Sequence, residues 1–411
     1  MKDNGKHGTK NNHFVPQFIL KRFGNRINVF NVRTQDYCPN RNPKSIFREI
    51  GLYPDELENK FNEKMERDAS LILTEKIITA EKSITLTRKE VQLIKRFFLM
   101  GILRTRDSIK LGALIKEQYP KHQKILDPKG RYSHETTSNE TYEEYWTKTL
   151  ESILNQQEDY SPKTIYDDPN STFFAFYWTV LVTSGYIAIW DAPKGYEFVI
   201  TDIGMTSEIE KRNNPYNALE NRKTNLLLSL KQFYKEYMNE SEDKELRLKT
   251  LNQIIMWQYL FHETFYMFPL SAKRMIVLVN PFFKQYVESY NHLNIMMPPL
   301  NYFTNINDIR LFSPNQSEKT LTDYGPRSLD DKYTYYPIKL KTKDVEYCNC
   351  LLMDRIHTWL GFGSMNGIYK SILAYEKYPC PLNNYSKLFT IAHDYEDTVK
   401  QKSSSKSNNQ K

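Results

Sequence analysis

Residues 172–190, TFFAFYWTVLVTSGYIAIW, carry no charge. A run of this length must either cross a bilayer or be buried in a protein core, because water solvates its apolar surface poorly. Its composition favours the core. Thr172, Thr179, Thr183, Ser184 and Gly185 interrupt the run, and TSG reads as a break. β-Branched and aromatic residues dominate it, which suits strands. Asp167, Asp168 and Asp191 flank it, not the basic residues that orient a span. The expectation is two buried segments, the second a strand, and no membrane span.

The rest of the chain supplies the layers that would bury such segments. RINVFNVRT (26–34) alternates apolar and polar residues, the pattern of a half-buried strand. QDYCPNRNPKS after it reads as loop. Residues 55–80 place Leu57, Phe61, Met65, Ala69, Ile72 and Leu73 at helical spacing with charges opposite. A second helix is expected over 87–119, with Thr87 as N-cap and Glu90 three residues later. GYIAIWDAP and YEFVITD flank the turn PKG and read as a hairpin ending at Asp202. KRMIVLVN (273–280) and YTYYPIKL read as strands. KDVEYCNCLLMDRIHTWLGF reads as a helix with Val345, Cys348, Leu352, Ile356 and Trp359 on one face.

The predicted class is α+β, predominantly helical with a central antiparallel β-sheet. Residues 1–12 read as a disordered leader and 396–411 as a disordered polar tail. Residues 13–395 form a single large domain in this reading, with helical insertions at 120–165 and 205–265.

The chain has 57 basic and 49 acidic residues, a net charge of +8. That modest excess permits contact with RNA or DNA without demanding it. Of four cysteines only Cys348 and Cys350 are close, and they lack the further ligands of structural zinc. Core thiols are expected. MKDNGKHGTKNN has no apolar core after its charges, so the expected compartment is the reducing cytoplasm.

Several catalytic patterns are missing. His262-Glu263 does not continue to H-E-x-x-H, and no G-x-S-x-G elbow occurs. GFGSMNG (361–367) mimics a phosphate loop but lacks the G-K-[ST] ending, and it is expected to follow a helix.

HFVPQFILKRF, near the start, resembles the opening of the prokaryotic family known as domain of unknown function 4238, whose members begin H-[HFY]-[VI]-P-Q-x-x-L. Further blocks are similar in order, from about residue 12 to 370. IGLYPDELENKFNEKMERDASLIL resembles an aromatic followed by a helix with a fixed glutamate, here Glu66. FFLMGILRTRD resembles F-x-x-x-Q-x-x-R-[TS]-P, EFVITDIGM resembles F-[IV]-[TS]-[SD]-D-x-P, and MFPLSAKRMIVLVN, which holds Ser271, resembles F-P-L-S-P-x-x-x-[LI]. The chain departs at Met100 or Gly101, at Arg106, at Ile203-Gly204 and at Ala272. The resemblance brings no activity with it, so chemistry must come from the residues. Its sporadic prokaryotic character implies a setting in defence against phage or mobile elements.

The polar residues of these blocks form the candidate site. His13 would precede a helix starting at Pro16, near amides that attract anions, and can act as general acid/base near neutral pH. Gln17 and Lys21 would share one helix face, with Arg22 beside them. Arg104 can clamp a phosphate, or pair with Glu66 or Asp202. Asp202 ends an apolar strand, where a carboxylate serves proton or metal chemistry or else forms a turn. The catalytic set is therefore His13, Arg104 and Asp202, with Gln17, Lys21, Arg22, Glu66 and Ser271 binding substrate. The cofactor stays open; a divalent ion such as Mg²⁺ is compatible. Two functions follow: a nuclease or phosphodiester hydrolase, or a non-catalytic protein that binds or senses nucleic acid or a nucleotide. A third, structural reading makes the same polar groups a buried lock on the N-terminus.

Overall fold

A computed structural model describes residues 11–50, 55–104, 186–202, 206–207, 265–279, 329–330, 332–354, 356–378 and 381–408, with a few helical positions between 147 and 155. Helices and mainly antiparallel sheets mix, so the fold is α+β. Nearly all of the expected insertions, residues 172–185 and Cys380 lie outside the described residues.

The chain begins with β1 (Asn11–His13), the short helix α1 (Gln17–Leu20), and strands β2 (Ile27–Asn31) and β3 (Asp36–Arg41). A 3-10 turn, Pro43–Ser45, leads to β4 (Arg48–Ile50), which pairs with β1 so that His13 faces Arg48. The segment expected to be loop is therefore largely strand. Its side chains are mostly exposed, so it lacks the apolar alternation that marks a half-buried strand.

A long helical rod follows: α2 (Asp55–Phe61), a π-helical turn (Asn62–Glu66), α3 (Arg67–Leu71) and a second π-helical turn (Ile72–Ile78). Leu57, Phe61, Met65, Ala69, Leu73 and Ile77, each four residues from the last, are all buried. In an α-helix of 3.6 residues per turn such a stripe would rotate by about 40° at each step. The π turns, with their wider i→i+5 bonding, hold it on one face. β5 (Ile84–Thr87) then leads into α4 (Arg88–Leu103), which opens on the expected capping box: Glu90 N donates to Thr87 Oγ1 at 3.2 Å and Thr87 N donates to the Glu90 carboxylate at 2.9 Å.

The uncharged run ends in β6 (Tyr186–Asp191). β7 (Ile200–Thr201) and β8 (Thr206–Ser207) follow, then β9 (Phe265–Pro269), β10 (Arg274–Val279), β11 (Lys332–Tyr335) and β12 (Ile338–Lys339). α5 (Thr342–Asp354), β13 (Trp359–Phe362), α6 (Met365–Glu376) and α7 (Ser386–Asn408) complete the order. β6 does not pair with the YEFVIT segment. It pairs with β10 and β12, whereas β7 pairs with β13, so the expected hairpin is instead a crossing between two sheets. The helix read over 343–362 stops at Asp354. Trp359 lies on β13, where Leu360 and Gly361 pair on both edges. α7 carries helix to Asn408, through most of the tail that composition assigned to disorder.

Two larger sheets result, ordered β12-β6-β10-β9-β8 and β3-β2-β13-β7. Strand alternation sends Ile187, Ile189, Ile276, Leu278 and Phe268 to a core shared with the rod and α4. Their neighbours Ala188, Trp190, Met275, Val277 and Met267 face a second core shared with α5, α6 and α7. The β6, β9 and β10 strands of the larger sheet are thus buried on both faces, between the two cores. No described helix is long and apolar enough to cross a membrane.

Candidate functional site

β1 and the turn after it place His13 at the edge of the first core. Phe14 N donates to Phe47 O at 3.2 Å, and the two rings meet edge-on at 6.3 Å. Phe47 itself has φ +53°, a left-handed conformation that costs a bulky residue free energy. Burial of its ring and the pairing of β1 with β4 hold it there.

His13 Nε2 lies 3.4 Å from Gln17 Nε2. An amide nitrogen donates, so Nε2 is the acceptor in this contact. Burial pulls the imidazole below its ordinary pKa; a hydrogen bond to the Lys44 backbone opposes this, Arg48 and Arg104 reinforce it, and Glu58 opposes it. Burial thus favours the neutral form of the ring.

Arg104 follows the last turn of α4, and its side chain is 3% exposed. One guanidinium nitrogen donates to Glu66 and the other to Glu58 Oε2 at 3.5 Å. Its charge also lies 4.2 Å above the Phe61 ring. The pairing with Glu66 is one the sequence suggested. Glu58 was not singled out. It also accepts from Asn12 Nδ2 at 3.4 Å, tying β1 to the rod. Its signal was legible: Glu58, Asn62 and Glu66 run parallel to the four-residue apolar stripe. Residues eight apart on an ideal α-helix lie about 80° out of line. The π turn Asn62–Glu66 removes most of that offset, so both carboxylates reach one guanidinium.

Arg104 also lines a small open cleft with Phe14, Val15, Pro16, Phe97 and Phe268, where water-sized groups have about 30 Å³ of room. The wall is otherwise almost wholly apolar. Of the site residues Arg104 lines the cleft; Glu58 and Glu66 pair with it, and His13, in contact with Gln17, directly precedes the lining residue Phe14.

The other candidates are elsewhere. Lys21 and Arg22 are exposed beyond the end of α1, whose four residues stop short of the expected helix. Ser271 Oγ accepts from Lys273 N and Arg274 N at 3.1 and 3.0 Å, closing the β9–β10 turn. Asp202 accepts from the amides of His357, Thr358 and Trp359 at 3.0, 2.5 and 3.0 Å. Burial pushes its carboxyl above the usual value, opposed by those amides. Asp202 fastens the segment that leads into β13, and none of its partners belongs to the His13 cluster.

GFGSMNG begins on strand β13, not after a helix, and opens α6. The anion it holds is the protein's own. Ser364 N and Oγ donate to Glu197 at 2.8 and 2.9 Å. A Cβ on Gly367 would lie 2.4 Å from Glu197 Cδ, so the glycine makes room for the carboxylate. Cys348 and Cys350 are buried thiols, and burial drives the Cys348 thiol far up, as fits a core residue. Among the described residues no group of three or more His, Cys, Asp or Glu is placed to hold a metal ion.

No curated protein and no solved structure matches the chain. A family model does match, over residues 11–360, and the chain belongs to the family described as protein of unknown function DUF4238.

Proposed function

We propose that this protein is a nuclease or phosphodiester hydrolase, working in defence against phage or mobile elements, with His13 as its acid/base group and Arg104 facing the scissile phosphate. The observation that carries the reading is a half-buried imidazole, lowered in pKa by burial and in contact with Gln17, that directly precedes Phe14 of an open cleft lined by the buried guanidinium of Arg104. His13 Nε2 takes the proton of an attacking hydroxyl or water. Arg104, fixed by Glu66, Glu58 and Phe61, offers charge to the phosphoryl oxygens without having to reorganise. Asp202, Ser271, Lys21 and Arg22 have no part in this scheme. The ion balance favours a second reading, binding of nucleic acid or a nucleotide without turnover. Two carboxylates already compensate Arg104, and the cleft wall offers apolar surface.

Purified protein incubated with labelled single-stranded and duplex RNA and DNA, with and without Mg²⁺, separates the two. Cleavage reduced about 10²–10⁴-fold by His13→Ala, with binding and melting temperature kept, is the expected result. Binding without product in the unaltered protein favours the second reading. Neither product nor binding removes both.

A further inference from the structure

Glu58 is the carboxylate that sequence blocks did not single out. It is 15% exposed, one turn before Phe61, and one of its oxygens faces both Asn12 and Arg104. Asn12 precedes His13 on β1, so the same carboxylate joins the strand that carries the imidazole to the cation beside it. Of the charges that bear on the ring, Arg48 on β4 and Arg104 after α4 are positive and Glu58 on the rod is negative; Glu66 is engaged on the other nitrogen of Arg104. A proton taken up by His13 would therefore create a third positive charge among two, with Glu58 as the compensating one.

We propose that Glu58 is the positioning carboxylate of the His13 centre: it holds β1 against Arg104 and stabilises the imidazolium that forms when His13 accepts a proton. This rests on the reading of His13 as the acid/base group. In that step the attacking O–H bond breaks as the Nε2–H bond forms. The oxygen's electron pair bonds phosphorus, the bond from phosphorus to the leaving oxygen breaks, and the imidazolium returns its proton to that oxygen.

The test reads His13 directly, independent of turnover. The ring resonance, assigned by its loss in His13→Ala, is titrated by NMR in the full-length protein and in Glu58→Gln. Removing the negative charge should move the His13 midpoint to lower pH, and the acid limb of any cleavage profile should move with it. An unchanged midpoint in a folded Glu58→Gln protein overturns the proposal. Should that variant not fold, Glu58→Asp is used: the charge is kept but withdrawn by one methylene, and a smaller shift in the same direction is expected. A Glu58→Asp midpoint equal to the unaltered one overturns it as well. Absence of any cleavage in the unaltered protein, with the midpoint shift present, would end the hydrolase reading and leave the electrostatic influence of Glu58 on His13 standing.

Discussion

Arg104 has its guanidinium enclosed by two carboxylates and an aromatic face, with almost no exposure. A charge in that position is tolerable only because the fork geometry of arginine reaches both partners at once. Arg104→Ala would leave Glu58 and Glu66 facing one another with little water to screen them. The expected loss is about 3 kcal/mol or more of unfolding free energy, read by denaturant titration. Arg104→Lys keeps the charge but has a single nitrogen, so a smaller loss of roughly 1–2 kcal/mol is expected. A negligible effect of Arg104→Ala would mean that the ion cluster forms no part of the native state. The pairing of Arg104 with Glu66 could be read from residue types alone, since a half-buried glutamate needs a cation. The isolation of Asp202 could not. A carboxylate after an apolar strand looks the same whether it faces a cleft or accepts three amides from the far end of the chain.

At the scale of elements, the rod and the α6 entry show how exact spacing decides geometry. The apolar residues from Leu57 to Ile77 recur every four positions, not at the α-helical 3.6, and the two π turns answer that mismatch. The period was present in the sequence, but a reading tuned to α-helices absorbs it as ordinary amphipathicity. The α6 entry depends on Gly367. Alanine there gains helix propensity of up to about 1 kcal/mol, yet its Cβ would collide with Glu197. Overpacking of this kind costs about 1–3 kcal/mol, so Gly367→Ala should lower the denaturant midpoint with an unchanged slope. In a Glu197→Ala background the same change should be neutral or stabilising, because the clash is gone. Additive effects in that cycle would show that the carboxylate does not occupy the loop.

Across the whole molecule, the sheets tie distant segments into two cores, and the pH dependence of stability follows from groups placed at their edges. The His13 pKa is lowered on folding, so the unfolded chain binds a proton first as pH falls below about 6.5. Native stability is therefore unaffected above that value and declines below it until the folded ring is also protonated. Glu90 adds a second loss at lower pH: burial pushes its carboxyl up, but Lys76 and the Thr87 cap outweigh this and hold it below its usual value. Asp202, raised by burial, acts in the opposite sense. Denaturant midpoints should fall between pH 7 and pH 5, and His13→Gln should flatten that step. A step of equal size in His13→Gln would assign it to other groups.

What the sequence determined by itself was local: the strand at the end of the uncharged run, the capping box at Thr87, the amphipathic rod, and a first segment rich in polar chemistry. These depend on periodicity and on hydrogen bonds within a few residues, which a chain carries wherever it folds. The tertiary structure decided which strands share a sheet, where Asp202 finds its amides, and that Glu58 joins Asn12, next to His13, to Arg104. Those outcomes depend on pairings between segments hundreds of residues apart, such as β2 with β13. Such a partner is selected by the packing of the whole core, and neither segment encodes it alone.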